Sequence, residues 1–200
     1  MKISKGSVTK EKLTKDEFQA IINKDLDGNL DLCRDIFCAL VFTWGSRIGD
    51  ILQLKYEDIS NGRINIIEQK TGKTKSVVIN EELERLIDKW KGKSPYYVFP
   101  LLNKAPSDPK KDPVYQKHIE SKTAIVNRAL KDIASLCDVN KKISSHVARH
   151  TFALWASQKN IPLHIIQQML NHGTKSMTEN YIKDLKKSSD LDDAAQEVLG

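Results

Sequence analysis

Apolar residues recur at helical spacing along almost all of this 200-residue chain, and the period changes only once, between residues 63 and 79. There Arg63-Ile64-Asn65-Ile66-Ile67-Glu68-Gln69 is rich in β-branched residues and partly alternating. Thr71-Gly72-Lys73 follows as a turn and Ser76-Val77-Val78-Ile79 as a second strand. The pattern predicts a β-hairpin with Lys70 near its tip. A lone hairpin is marginal in water and needs helices to pack against. The fold class is therefore α+β: mostly α, with one small antiparallel β-sheet.

Helix signals bracket the hairpin on both sides. Thr14-Lys15-Asp16-Glu17 is a capping box opening a helix through Phe18, Ile21 and Ile22. A second helix follows Asn29, carrying Leu32, Ile36, Phe37, Leu40 and Val41, and ends near Gly45. A third begins at about Ser46 with Ile48, Ile51, Leu52 and Leu54 on its apolar side. Asn80 caps another, with Leu83, Leu86, Ile87 and Trp90 on one face. Pro95 to Pro113 contains five prolines and reads as a surface loop. A long helix spans roughly Val114–Leu136, and another starts at Ser144 or Ser145. Pro162 opens a further helix that ends near Asn171-His172-Gly173, with the glycine as C-cap. Short helices around Tyr181 and from about Leu191 close the chain. The division expected is a polar, Lys-rich tether over 1–12, one domain over 13–187 and a tail helix over 188–200.

Composition narrows the function classes. Hydrophobic residues make up 40% and charged residues 29%, an ordinary globular balance, and the net charge of +6 favours a polyanionic partner without specifying one. No apolar run approaches the roughly 20 residues that span a bilayer. The start, Met1-Lys2-Ile3-Ser4-Lys5-Gly6, has charge but no apolar stretch behind it, so it is not a signal peptide. A cytoplasmic, nucleoid-associated protein is expected. Cys33, Cys38 and Cys137 form no CxxC pair, and the first two fall in an apolar helical pattern where buried free thiols are expected.

Three segments carry candidate chemistry. In Ser145-His146-Val147-Ala148-Arg149-His150, residues 146, 149 and 150 share one helix face. Two imidazoles beside a guanidinium suit a phosphate: arginine offers a planar fork to its oxygens, and histidine moves protons. A surface helix with scattered polar residues fits that segment equally well. The His146 to His150 spacing also suits zinc, but Val147 stands where a zinc hydrolase needs glutamate, and Arg149 would repel the cation. In Leu170-Asn171-His172-Gly173 through Tyr181, the histidine and tyrosine taken singly read as capping and packing residues. In Gly45-Ser46-Arg47-Ile48-Gly49-Asp50, Arg47 interrupts an apolar stretch, and a salt bridge to Asp50 or Asp58 is the ordinary expectation. A helix start is also a good place for an anion.

The ordered set is more specific than any member. An Arg in Gly-x-Arg-x-x-Asp, a hairpin Lys, His-x-x-Arg-His, then Leu-x-His with Tyr181 nine positions after His172 occur in that order. This resembles the tyrosine recombinase family, which includes phage and transposon integrases, the Xer recombinases and Cre, over about Leu13 to Tyr181. The resemblance implies the catalytic-domain fold of that family. It also implies catalytic roles for Arg47, Lys70, His146, Arg149, His172 and Tyr181, with His150 structural. Lys70 is preferred to Lys73 or Lys75 because Gln69-Lys70-Thr71-Gly72 matches many integrases. Ser46, Asp50, Ala148 and Asn171 depart from the usual Leu, Glu, Leu and Gly at their positions, and none of the changes removes a chemical group.

By the same resemblance, Tyr181 attacks a DNA phosphodiester, giving a 3′-phosphotyrosyl link and a free 5′-hydroxyl. Arg47 and Arg149 clamp the non-bridging oxygens, His146 is general base, Lys70 general acid, and His172 donates to the phosphate. No cofactor, ATP or metal is implied. Double-stranded DNA at a recombination site is the partner, with a homotetramer on it, no membrane, and the tail exchanged between protomers. Integration or excision of a mobile element is the implied role. Relatives carry an N-terminal DNA-clamping domain, so the start near Leu13 implies that this arm is missing and the chain is a fragment. Alternatives are a catalytically inactive DNA-binding regulator of the same fold and a type IB topoisomerase-like enzyme.

Overall fold

The structure, a computed structural model, describes residues 10–185. Its elements run α1 (Lys15–Asn23), α2 (Gly28–Phe42), α3 (Ile48–Leu52), a 3₁₀ turn (Tyr56–Asp58), β1 (Ile59–Ser60), β2 (Arg63–Ile67), β3 (Thr74–Val78), α4 (Glu81–Trp90), α5 (Pro113–Leu136), α6 (Ser145–Gln158), α7 (Leu163–Met169) and α8 (Lys175–Leu185). The mostly helical architecture with one small sheet is as expected. A tail helix from Leu191 falls outside the described residues.

Helix α2 is the axis of the domain. Every residue from Leu32 to Val41 is buried, including Arg34 and Asp35. That buried pair is neutralised locally: Arg34 Nε donates to Asp35 Oδ1 at 2.7 Å, and Asp35 Oδ2 accepts from Lys89 Nζ at 2.7 Å and Trp90 Nε1 at 2.9 Å. A buried carboxylate is tolerated only when its lone pairs are used in this way. The network ties α2 to α4, while α5 and α6 pack along the rest of the axis. The capping box on α1 forms as the sequence indicates, with Thr14 Oγ1 accepting from Glu17 N and Glu17 Oε2 accepting from Thr14 N.

The sheet has order β1-β2-β3 and is antiparallel throughout. Its first strand is an addition to the predicted hairpin. Asn61-Gly62, both with positive φ (50° and 69°), make the two-residue turn that joins β1 to β2. In the β2–β3 register Ile64 faces Val77 and Ile66 faces Lys75. Ile64, Ile66, Lys75 and Val77 are all buried, because alternate residues of a strand share a face. Lys75 therefore points inward from β3, while Lys70 and Lys73 are exposed at the hairpin end.

A second, smaller apolar cluster joins α6, α7 and α8. Ala153, Ala156, Ile166, Leu170 and Ile182 are its buried members, with Tyr181 packed against them. This cluster carries the tyrosine to the end of α6. The expected glycine C-cap of α7 is corrected here. Asn171, not Gly173, takes the left-handed conformation (φ 54°) after Leu170. Asparagine tolerates that region better than other non-glycine residues, so the chain can turn without the glycine.

Between α2 and α3 the chain reverses through Trp44 and Gly45, both left-handed (φ 58° and 66°). A Cβ built on Gly45 would lie 3.0 Å from the Arg149 Cα and 3.1 Å from its Cγ. Gly45→Ala is therefore expected to lower stability by about 1–2 kcal/mol from the left-handed strain alone, and more from the contact with Arg149. Urea denaturation of the two proteins measures it, and an unchanged midpoint would contradict this account of the turn.

Candidate active site

The turn at the end of α2 leaves three successive carbonyls without helical partners, and a side chain caps each. Ser46 Oγ donates to Thr43 O at 2.8 Å, Lys75 Nζ to Trp44 O at 3.0 Å, and Arg149 Nη1 to Gly45 O at 2.7 Å. Helix C-terminal carbonyls carry partial negative charge, so cations are favoured there. Arg149 also donates to Leu170 O at the end of α7. Desolvation, then repulsion from Arg47, lowers its affinity for its proton, yet a guanidinium keeps its charge in any protein environment.

Arg47 is the N-cap of α3 and is pointed by this turn. The salt bridge expected with Asp50 or Asp58 does not form; Arg47 Nη1 pairs instead with Glu68, just beyond β2. Asp50 Oδ1 accepts from Gln69 N at 2.9 Å, and Asp58 Oδ2 from Lys55 N at 2.9 Å. Glu68 is 1% exposed and also accepts from Thr71 Oγ1 at 2.8 Å. Burial works to raise its pKa, but the bonds from Arg47 and Thr71 outweigh it and hold the carboxyl below the ordinary glutamate value. Sequence reasoning missed Glu68. The signal was the parity of β2, which places residue 68 on the same side as Ile64 and Ile66.

A cavity of about 350 Å³ is lined by Ser46, Arg47, Ile48, Ser145, His146, Arg149, His150 and Tyr181. His146 is exposed at its mouth, on the first turn of α6. The Tyr181 hydroxyl is buried and has no hydrogen-bond partner among the described residues. Burial raises its pKa above the ordinary tyrosine value, and Arg149 opposes that shift. The His172 ring stands edge-on to Tyr181 at 5.3 Å, with Nδ1 2.9 Å from Thr178 Oγ1. His150 packs 5.6 Å from the tyrosine ring, and its Nδ1–H donates to Glu11 O at 3.0 Å. Arg47, His146, Arg149, His172 and Tyr181 thus gather at one place. Lys70 does not join them; the lysine brought close to the arginines is Lys75.

The comparisons with known proteins bear on this geometry. The profile of the phage integrase family matches residues 11–188. The chain belongs to that family. A tyrosine recombinase of Pseudothermotoga lettingae is 27% identical over 80% of this chain and 53% of its own length. Tyrosine recombinase XerA of Pyrococcus furiosus is 25% identical over 85% of this chain and 58% of its own. The chain spans a little over half the length of these relatives. Among solved structures, the crystal structure of XerA recombinase superposes with TM-score 0.66 at 20% identity, covering 93% of this chain and 62% of that one. A lambda integrase dimer bound to a COC′ core site gives 0.60 at 20% identity, covering 92% and 62%. These superpositions show that the fold is the catalytic-domain fold of tyrosine recombinases.

His172 provides a pH test. Desolvation first, then the charges of Arg149 and Arg47, push its pKa down from 6.5 to about 4. Between those two values the unfolded chain holds the proton and the folded chain does not. The contribution of His172 to stability is therefore fully present above about pH 6.5 and is lost as pH falls towards about 4. His172→Gln is expected to flatten the urea midpoint against pH across that window. A slope identical to wild type would show that the ring is not desolvated as described.

Proposed function

We propose that this chain is the catalytic domain of a site-specific DNA recombinase that cuts and rejoins strands through a 3′-phosphotyrosyl link at Tyr181. The observation that carries the reading is the buried Tyr181 hydroxyl, without a hydrogen-bond partner among the described residues, in the same cavity as two arginines. Buried polar groups are normally satisfied, so such a hydroxyl in a cavity lined by two guanidiniums suits a site awaiting an anion.

The chemistry follows from the groups. An incoming phosphodiester meets Arg47 and Arg149, whose forked donors match its non-bridging oxygens and the charge of the pentacoordinate transition state. Glu68 engages one nitrogen of Arg47 and leaves other donors of the guanidinium for the phosphate. Tyr181 holds its proton tightly and needs a base as it attacks; His146, at the cavity mouth, takes that role. His172 is neutral at pH 7, and in the tautomer whose Nδ1 accepts from Thr178 Oγ1 the ring proton stands on Nε2 for the phosphate. Lys70, exposed near the hairpin end, reaches the leaving 5′-oxygen as general acid once DNA lies over the site. One phosphoester replaces another, so another strand's 5′-hydroxyl reverses the link without ATP or a metal.

Double-stranded DNA is the substrate we propose, with assembly as a homotetramer on it and the residues beyond 187 exchanged between protomers. One solved relative is a lambda integrase tetramer bound to a Holliday junction. Among the described residues no helix is long and apolar enough to cross a membrane. Nucleoid association, and service to a mobile element through integration or excision, complete the proposal.

The decisive experiment incubates the protein with a pool of nicked suicide duplexes of randomised sequence and looks for a covalent adduct on denaturing gels. Wild type is expected to form it and Tyr181→Phe to form none. Loss of Arg47 or Arg149 should slow it by roughly 10²–10³-fold. Lys70→Ala should slow it more than Lys73→Ala, and a 5′-thiol leaving group, which departs without a proton, should restore the Lys70 variant. DNA binding by wild type without any adduct would favour an inactive regulator, and an adduct from Tyr181→Phe would exclude Tyr181 as the nucleophile. Inhibition by a chelator would point to zinc instead.

A further inference from the structure

A buried lysine stands outside the set assigned so far. Lys75 is 5% exposed, projects inward from β3, and donates from Nζ to Trp44 O at 3.0 Å and to Ser46 Oγ at 3.2 Å. Its ammonium also lies 5.9 Å from the centre of the Trp44 ring. The turn it grips is the one whose next carbonyl, Gly45 O, accepts from Arg149, and whose next side chains are Ser46 and Arg47. Lys75 does not line the cavity that holds Tyr181. It acts from beneath, on the backbone that aims both arginines.

We propose that Lys75 is a positioning residue for strand cleavage: from β3 it fixes the Trp44–Ser46 turn, so that Arg47 and Arg149 face the scissile phosphate together. The inference rests on the recombinase reading and assigns Lys75 a task distinct from the general acid proposed at Lys70. Lys70 has to reach a leaving oxygen and is exposed; Lys75 is enclosed and bound to main chain.

Such a cation is held at a cost to the DNA-free fold. The groups facing it are Arg149 from α6, Arg47 at the start of α3, Glu68 beyond β2 and Asp50 on α3. Desolvation first, then Arg149, with Glu68 and Asp50 opposing, pushes its pKa down from 10.5 to about 7. Between those values the unfolded chain holds the proton and the folded chain does not, so stability rises with pH from about 7 towards 10.5. Removing a merely structural lysine would lower stability. Replacing this one by an apolar side chain of similar length relieves its desolvation and also leaves Trp44 O without its donor, two effects that oppose each other.

The test compares wild type, Lys75→Met and Lys75→Gln of the whole chain in three measurements: binding to the nicked duplex pool, single-turnover adduct formation, and urea midpoint against pH. Lys75→Met is expected to bind DNA as wild type does and to form the adduct roughly 10- to 100-fold more slowly, the scale of a small misplacement of reacting groups. Its stability relative to wild type should be highest near neutral pH and should fall as pH rises towards 10.5. Lys75→Gln keeps a donor for Trp44 O and should fall between the two in rate. Cleavage by Lys75→Met at the wild-type rate overturns the proposal. So does a Met variant that unfolds or loses DNA binding in step with its cleavage, or a Gln variant no faster than Met. If wild type binds the duplexes and forms no adduct, the recombinase reading falls first and this inference falls with it.

Discussion

Ser46, Lys75 and Arg149 donate to the carbonyls of Thr43, Trp44 and Gly45, and the second and third of these hydrogen bonds join parts of the chain that are far apart in sequence. Helix α2 ends there in a turn where Thr43 and Gly45 are buried and Trp44 is half-buried. An unsatisfied buried carbonyl costs about 1–3 kcal/mol, and each of these three has a side-chain partner. One comes from the turn itself, one from the sheet and one from α6. The same bonds fix the direction in which Arg47 leaves the turn.

Arg149 shows how closely folding and chemistry are joined at this place. With one Nη it holds the turn after α2, and with the other it holds the end of α7. Through α7 it sets the small apolar cluster that carries Tyr181. A residue we propose as a clamp on phosphate is therefore also the tie between the two parts of the site. Losing it would release the support of Tyr181 as well as a positive charge. Variants of Arg149 accordingly call for structural controls that variants of Tyr181 do not.

Positive charge is in excess among the facing groups of the site. Arg47 and Arg149 repel each other, and each lowers the pKa of Lys75 and of His172. Glu68 and Asp50 offset part of this from the sheet side and from α3. A bound phosphate would remove the remaining repulsion, and the energy released would appear in the bound and transition states rather than in the free protein. That is a physical reason for a basic chain to keep a buried, poorly compensated set of cations.

Much of this was legible in the linear order of residues. The helical periods, the capping box at Thr14 and the hairpin needed only local pattern, because side-chain spacing along a helix or strand is set by backbone geometry, and the six candidate residues needed their order along the whole chain. The Asn61-Gly62 turn and the inward parity of Glu68 were present too, as weaker local signals. What spacing could not reveal was which charges meet. Arg47 had acidic neighbours three and eleven positions on, yet it pairs with Glu68, twenty-one residues away, because β2 is folded against α3. Three lysines lay within six residues of the hairpin, and the pairing register alone sends Lys75 inward while Lys70 and Lys73 stay in water. Local geometry selects the element and its faces; only the packing of one element on another chooses the partner of a buried charge.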